Sequence, residues 1–489
     1  MADYDLAIIG GGLNGVSMAR DAAGRGLRVI LLEQGDLASG ASGASTRLVH
    51  GDLSLLEAGR LWRVRTQLAE RALWLKNAPH LVRPTRFAIP FHPDARPPWL
   101  LRAGLLLYDR LGAATASPGS CTVDVTHHPI GNPLKRPFGI AFEYSDCLVD
   151  DSRLVVLTAL DAAERGAAIR TGARCVRAER TDIWRLVVID RGHRQVITAR
   201  ALANTAGAWT PSVTETTLRQ PPPRQVSATQ VSQIIVRRLF DTDHVYVFQH
   251  SDGRLIFASP LERDFTLVGT VAHAFAGDPA IVAMPAADVA YLCDAVSRYL
   301  REPLHPADVV RAVSGVTLIA AQGAGGVPPD GMLLLDSRRR WAPLVTMFGG
   351  EITTSRRRAE RAVSLLTPFY PMSPRWTARA SLPGGDFVWD RFDLEVDAAR
   401  ERWPFLSEAQ AQRLVGAYGS RLPAVLVGAK RRDDLGQAFG PELTAAEVRY
   451  LMTKEWARFP DDVLWRRSKL GLTMEARDRE ALAAFMAAA

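Results

Sequence analysis

Gly10, Gly12 and Gly15 stand at G-x-G-x-x-G spacing directly after the apolar run Asp5-Leu6-Ala7-Ile8-Ile9, and Glu33 follows eighteen positions beyond Gly15. Each residue type suits one task in holding a dinucleotide. The first glycine makes the tight turn, the second lets a pyrophosphate approach the backbone, and the third lets helix and strand pack closely. The helix that opens here offers unpaired N–H groups and the positive end of its dipole to phosphate oxygens. Glu33 can accept hydrogen bonds from a ribose diol. Two later stretches repeat the theme of a buried run ending in small residues: Ala206-Gly207 after Ala201-Leu202-Ala203-Asn204, and Gly349-Gly350 after Leu344-Val345-Thr346-Met347-Phe348. Between them and the first turn lies a small-residue loop, Ala38 to Arg47. Its Ser45 and Thr46, with Leu48 beyond, can crowd against a ligand.

These residues need elements to position them. Val16 to Arg25 reads as a helix closed by Gly26, and Leu27 to Leu32 returns as a second parallel strand. Arg60 to Leu75 and Leu154 to Arg165 have helical spacing, and strands are expected around Ala173 to Val176 and Leu186 to Ile189. The runs Ile234-Ile235-Val236, Val245 to Phe248, Leu255-Ile256-Phe257 and Thr266-Leu267-Val268 predict a largely antiparallel sheet. A helix is expected from about Thr353 to Leu366, and from Pro374 onward the pattern is helical. Three strand-to-glycine turns so far apart point to FAD rather than NAD, because a two-domain flavoprotein folds its ends around one cofactor.

Composition narrows the class. The chain has 489 residues, 47% hydrophobic and 23% charged, too many for one core, so two or three domains are expected. No run approaches the roughly 18–20 apolar residues of a membrane span, and the chain opens directly into a strand without a signal peptide. Cys121, Cys147, Cys175 and Cys293 are scattered without metal-ligand spacing. A reduced, cytoplasmic protein without structural metal is the expectation. The net charge of +8 is spread along the chain with no nucleic-acid motif. It fits solubility, or affinity for an acidic membrane surface, and no nucleic-acid partner is expected.

Nearly end to end, the chain resembles the FAD-dependent glycerol-3-phosphate dehydrogenases. The segments that carry the likeness are Ile8 to Gly15, Asp21-Ala22-Ala23-Gly24-Arg25-Gly26-Leu27, Phe142-Glu143-Tyr144-Ser145-Asp146-Cys147, Phe348-Gly349-Gly350, Asp434-Leu435-Gly436 and Trp465-Arg466-Arg467. The resemblance implies an α/β fold: a glutathione-reductase-like, Rossmann-type FAD domain, an inserted antiparallel-sheet substrate domain and a C-terminal helical cap. The expected divisions are 1–75 with 140–225 and 325–372 for FAD, 76–139 with 226–324 for substrate, and 373–489 for the cap. It implies FAD held by Gly10, Gly12, Gly15, Glu33, Ser45, Thr46, Leu48, Val176, Ala206, Gly207, Gly350 and Thr353. It also implies hydride transfer from a substrate carbon to the flavin, with oxygen or quinone as final acceptor.

Departures from the family pattern fall in the substrate pocket. H-G-G-L-R becomes His50-Gly51-Asp52-Leu53-Ser54, and K-G-S-H becomes Gln230-Val231-Ser232-Gln233. G-T-T-D becomes Gly269-Thr270-Val271-Ala272, and S-G-V-R becomes Ser314-Gly315-Val316-Thr317. The T-R-D arginine falls at Met332, and F-G-G-K becomes Phe348-Gly349-Gly350-Glu351. Arginine forks and lysine hold a phosphate through charge-assisted bonds of about 1.5–3 kcal/mol each. Their loss predicts a non-phosphorylated small substrate, an amine-bearing one among the candidates, oxidised in a specialised biosynthetic pathway; a genuine glycerol-3-phosphate dehydrogenase and a non-catalytic FAD-binding partner are the alternatives.

In this reading Ser54, Gln233, Thr317, Met332, Glu351 and His50 line the reacting end. Glu351 serves as counter-ion or general base, or else pairs with Arg356, Arg357 or another arginine with no chemical role. His50 contacts the flavin or buttresses its loop; Gln233 can orient a polar group but takes up no proton. His273 reads as a solvated histidine. Arg356-Arg357-Arg358, followed by apolar residues to Tyr370, reads either as an amphipathic membrane-docking helix or as a charged face over an ordinary core. Peripheral contact with the inner face of the membrane and a homodimer both stay open.

Overall fold

A computed structural model describes residues 2–488 except 92–96, 113–116, 136–137, 222–225, 251 and 319–329. Strands β1 (Tyr4–Ile9) and β2 (Val29–Glu33) flank helix α1 (Leu13–Gly24). Then come β3 (Leu48–Val49), α2 (Leu53–Glu57), α3 (Leu61–Asn77), β4 (Val82–Pro90), α4 (Pro98–Leu111), β5 (Cys121–Asp124) and β6 (Ile140–Val149). Helix α5 (Asp151–Glu164) leads to β7 (Ala168–Thr171), β8 (Ala173–Arg180), β9 (Trp184–Asp190) and β10 (His193–Asn204). The next block is β11 (Ala228–Arg237), β12 (Val245–Gln249), β13 (Leu255–Leu261), β14 (Phe265–Phe275), α6 (Ala286–Ser297) and β15 (Val309–Thr317). β16 (Met332–Asp336), β17 (Leu344–Phe348) and α7 (Ser355–Ser364) close this part, and α8 (Phe392–Arg402), α9 (Glu408–Tyr418), α10 (Ala445–Lys454) and α11 (Ala476–Ala488) follow.

One sheet runs β16-β17-β10-β1-β2-β7, with β8 and β9 folded back antiparallel on β10. β1 is apolar and buried from Leu6 to Ile9. Leu6 and Ile8 pack towards α1 and α5, whereas Ala7 and Ile9 pack towards Trp184, Leu186 and Val188. Both faces are covered, as a central parallel strand requires. Each large side chain buried this way contributes about 1.5–3 kcal/mol. The second sheet runs β15-β11-β14-β13-β12-β4-β6-β3 with β5 on β6, antiparallel throughout except where β12 meets β4.

The strand Ile140–Val149 and the short strand Leu48–Val49 belong to this second sheet, beyond the expected boundaries. β6 pairs with β4 and β3, and Val49, Cys147 and Val149 also pack into the core shared with β1, α1 and α5. The expected division at 324/325 lies outside the described residues. The C-terminal helices build their own core around Trp403, Tyr418, Phe439, Leu451 and Leu482.

Ion pairs join that helical unit to the first sheet. Arg153 on α5 meets Glu455, both fully buried. Arg467 donates to Asp36, its Nη2 lying 2.8 Å from Oδ1, and Arg466 Nε lies 2.5 Å from Asp36 Oδ2. Arg311 on β15 stacks over the Trp465 ring, 3.6 Å from its centroid, so the second sheet is held too.

Candidate active site

The carboxyl ends of β1, β2, β10 and β17 open on a cavity of about 400 Å³. In open α/β sheets, ligands bind at that edge. Gly10, Gly12, Glu33, Ser45, Thr46, Leu48, Ala206, Gly207, Gly350 and Thr353 all line it, as do His50, Thr317 and Glu351. The structure therefore brings together segments that lie more than 300 residues apart.

The nucleotide end is built by backbone. Gly10 has φ +111, and a Cβ there would sit 2.6 Å from Thr205 O. Gly15 does not line the cavity; a Cβ on it would lie 1.9 Å from Gly10 O, so its part is helix-to-strand packing. Glu33 accepts from Gly11 N–H at 2.6 Å and Gly35 N–H at 2.7 Å, clamping the turn. Burial pushes its carboxyl above the usual range, while those backbone donors pull the other way. Gly12 caps α1 without a side chain, and Val16 is the first residue whose N–H reaches a carbonyl within it. The N–H groups of Asn14 and Gly15 thus remain available for an anion. An open turn, a free helix N-terminus and a buried acid are the donor set that FAD needs.

The other end is organised around His50, Glu351 and Arg358. His50 N–H donates to Thr353 Oγ1 at 3.2 Å, and Gly51 N–H to Tyr108 Oη at 2.7 Å. Tyr108 in turn donates to Asp146 at 2.7 Å, and Asp146 pairs with Arg71. Helices α3 and α4 and strand β6 therefore fix the backbone at His50. Gln67 Nε2 donates to Glu351 Oε2 at 2.6 Å. Burial raises the Glu351 carboxyl above its usual range, and His50 acts against that. Arg358 binds Asn14 Oδ1 at 2.9 and 2.8 Å and the Glu351 carbonyl at 3.1 Å, and burial lowers it to about 10. It ties the β17 turn to the first glycine turn; Asn14 Nδ2 completes the link by donating to Gly349 O at 3.0 Å.

Several expected residues lie elsewhere. Ser54 is exposed in the first turn of α2, its Oγ and N–H both donating to Oδ1 of the capping residue Asp52. Gln233 is buried over Gly269, and its Nε2 donates to Ala44 O at 3.2 Å and Ser45 O at 2.9 Å, so it holds the small-residue loop from behind. Met332 packs with Leu318 and Phe348 beside the cavity, not in its lining. Val176 falls where β8 slips register between Cys175 and Arg177; the lining residues are Ala173, Arg174 and Cys175. His273 is half exposed and lies 2.8 Å from Asp288.

Arg356 does not pair with Glu351. It is buried on Glu70 and Glu360, both at 2.6 Å, and Arg358 is also buried, whereas Arg357 and Arg361 on the same helix are exposed. Gln67, Asn14, Arg174 and Arg358 were not apparent as site residues, because their partners are 284 to 344 positions away or lie on other strands.

This fold and cavity are those of a flavin-dependent oxidoreductase: residues 5–355 match the family described as FAD dependent oxidoreductase. Residues 375–489 match the C-terminal domain of alpha-glycerophosphate oxidase. Within that class the chain belongs to the FAD-dependent glycerol-3-phosphate dehydrogenase family. It is 41% identical to a glycerol-3-phosphate dehydrogenase of Pseudomonas aeruginosa, over 99% of this chain and 95% of that protein. It is 40% identical to a D-erythritol 1-phosphate dehydrogenase of Brucella abortus, over 98% and 96%. Among solved structures, a glycerol-3-phosphate dehydrogenase from Bacillus halodurans complexed with FAD superposes with a TM-score of 0.79 at 24% identity, over 99% and 90% of the two chains. The protein is an FAD-dependent enzyme.

Proposed function

We propose that this enzyme oxidises the secondary carbinol of a small polyol phosphate to a ketone, glycerol 3-phosphate being the first substrate to try. What carries this reading is identity of 37–41% over nearly the whole chain to enzymes whose names specify glycerol 3-phosphate or erythritol 1-phosphate. It replaces the expectation of a non-phosphorylated substrate as the leading one. FAD supplies a two-electron acceptor when bound, and oxygen or quinone takes the electrons onward. Gly10, Gly12 and the α1 N-terminus hold its pyrophosphate and Glu33 its ribose. The loop at Ser45 and Thr46, pinned by Gln233, would border the cofactor and help exclude water. Anaerobic addition of glycerol 3-phosphate to the holoenzyme tests the reading: bleaching of the visible flavin band supports it, and an unchanged band removes it.

One observation favours a second reading, a substrate without phosphate. Arg174 and Arg358 are the arginines lining the described cavity, and Arg358 is committed to Asn14 and backbone carbonyls. The segment 319–329, outside the described residues, contains no lysine or arginine. Glu351 adds a carboxylate where a dianion would have to sit. In the same experiment glycerol or an amino alcohol would bleach the band and glycerol 3-phosphate would not.

For the quinone route, membrane contact is assigned to α4 and the start of α3. Trp99 is 71% exposed and Trp62 65%, with Leu61, Leu100, Leu106 and Leu107 also exposed and Arg60 and Arg65 beside them. Aromatic and aliphatic side chains flanked by arginines suit an anionic lipid surface. Co-sedimentation with anionic vesicles, lost when both tryptophans become serine, is the result expected. No helix among the described residues is long and apolar enough to cross a membrane.

A further inference from the structure

Removing hydride from a carbinol carbon leaves a hydroxyl proton to be taken up, and the cavity offers few acceptors. Glu33 lines its nucleotide end with both oxygens taken by the Gly11 and Gly35 N–H groups. Gln233, behind the lining, is an amide engaged with Ala44 O and Ser45 O. His50 Nδ1 accepts from Asp52 N–H at 3.2 Å, so the neutral ring carries its proton on Nε2 and acts as donor. Asp52 Oδ1 takes both the N–H and the hydroxyl of Ser54. Asp330 is 3.5 Å from Arg63. Glu351 remains.

Its carboxylate lines the cavity and forms no ion pair among the described residues. Oε2 is held by Gln67, and Oε1 accepts no hydrogen bond among them. The charged and titratable groups that act on it are His50 and Asp52 from the turn after β3, Asp330 ahead of β16 and Arg358 from α7. Gln67 adds a further feature: its own Oε1 is buried and has no donor among the described residues. An amide beside a carboxyl can serve both states, giving N–H to the carboxylate and, after rotation, carbonyl oxygen to the acid. The protonated form of Glu351 is thereby provided for as well as the ionised one.

We infer that Glu351 is the proton acceptor of the reaction, with Gln67 as its positioning residue. The inference rests on the proposed oxidation of an alcohol at the flavin and holds for a substrate with or without phosphate. The substrate O–H bond breaks and its proton goes to Glu351 Oε1. The C–H bond breaks with its electron pair, which passes as hydride to the flavin, and the carbinol becomes a carbonyl. The substrate loses two electrons and the flavin gains them.

The test follows flavin bleaching in rapid anaerobic mixing of the holoenzyme with glycerol 3-phosphate and with glycerol, for the wild type, Glu351→Gln and Glu351→Asp. General-base loss is expected to slow reduction by roughly 100-fold or more in Glu351→Gln, with FAD content and substrate Kd nearly unchanged. The fall in rate on the acid side, present in the wild type, is expected to vanish with it, and Glu351→Asp should recover part of the rate. Equal rates, an unchanged acid limb, or a loss confined to Kd would overturn the inference.

If neither compound bleaches any of the three proteins, the substrate reading fails, and infrared difference spectra of wild type against Glu351→Gln decide the matter for Glu351. A carboxyl band that titrates between acid and neutral pH supports it as a proton acceptor. A band that stays in one state throughout overturns it.

Discussion

Gln67 and Glu351, 284 residues apart, meet at 2.6 Å across the wall of the cavity. The amide N–H stabilises the ionised form of a carboxyl that burial otherwise favours as the acid. Gln67→Leu is expected to push that carboxyl further up. A hydrogen bond to a charged acceptor is worth about 1.5–3 kcal/mol, so the acid limb of flavin reduction should move to higher pH by roughly one to two units. Stopped-flow reduction across pH checks this; an unmoved limb would detach Gln67 from the chemistry.

Glu33 fixes the glycine turn through two backbone N–H groups. Glu33→Ala leaves Gly11 and Gly35 without their acceptor and takes away the partner of the ribose. FAD affinity should fall by about 10- to 100-fold, the equivalent of roughly 1.5–3 kcal/mol. Titration of apoprotein with FAD, read by flavin fluorescence, gives the number directly.

A methyl group at Gly15 would meet Gly10 O at 1.9 Å. Gly15→Ala should therefore cost about 1–3 kcal/mol as overpacking and lower the melting temperature of the apoprotein, which has no cofactor to lose. An unchanged apoprotein melt would show that α1 can slide away from β1.

Arg153 and Glu455 are buried together between α5 and the C-terminal helices. Removing one partner strands the other charge, and Arg153→Met should destabilise the protein by about 3–5 kcal/mol. Chemical denaturation would show it as a lower midpoint.

Glu143 lies between His244 and Arg86, and hydrogen bonding to His244, followed by that to Arg86, depresses its pKa to about 2. Its folded-state value lies below the ordinary 4.5, so its contribution is present above that value and is lost as pH falls towards about 2. Glu143→Gln should flatten the melting temperature over that acid window relative to the wild type.

How much of this was legible beforehand follows from the range over which each signal acts. The β1-α1-β2 unit could be read because strand, turn, helix and acid are contiguous, and each residue answers to a local geometric need. The helix at Ser355 and the strands of the second sheet were visible for the same reason. Ser54 was misread because Asp52 at φ +52 turns the chain, caps α2 and takes both donors of Ser54. The burial of Arg356 could not be read from the run Arg356-Arg357-Arg358 because its partner Glu70 lies 286 residues away. Gln67 and Arg358 carry no local signature at all. Each is an ordinary helix residue until the fold brings Glu351 and Asn14 alongside.

The claim that this protein oxidises a polyol phosphate at its flavin is tested most directly by one anaerobic mixing of the yellow holoenzyme with glycerol 3-phosphate. The account predicts that the visible band bleaches and that dihydroxyacetone phosphate is formed in equal amount. A band that keeps its full intensity, while glycerol or an amino alcohol bleaches it, would contradict the account.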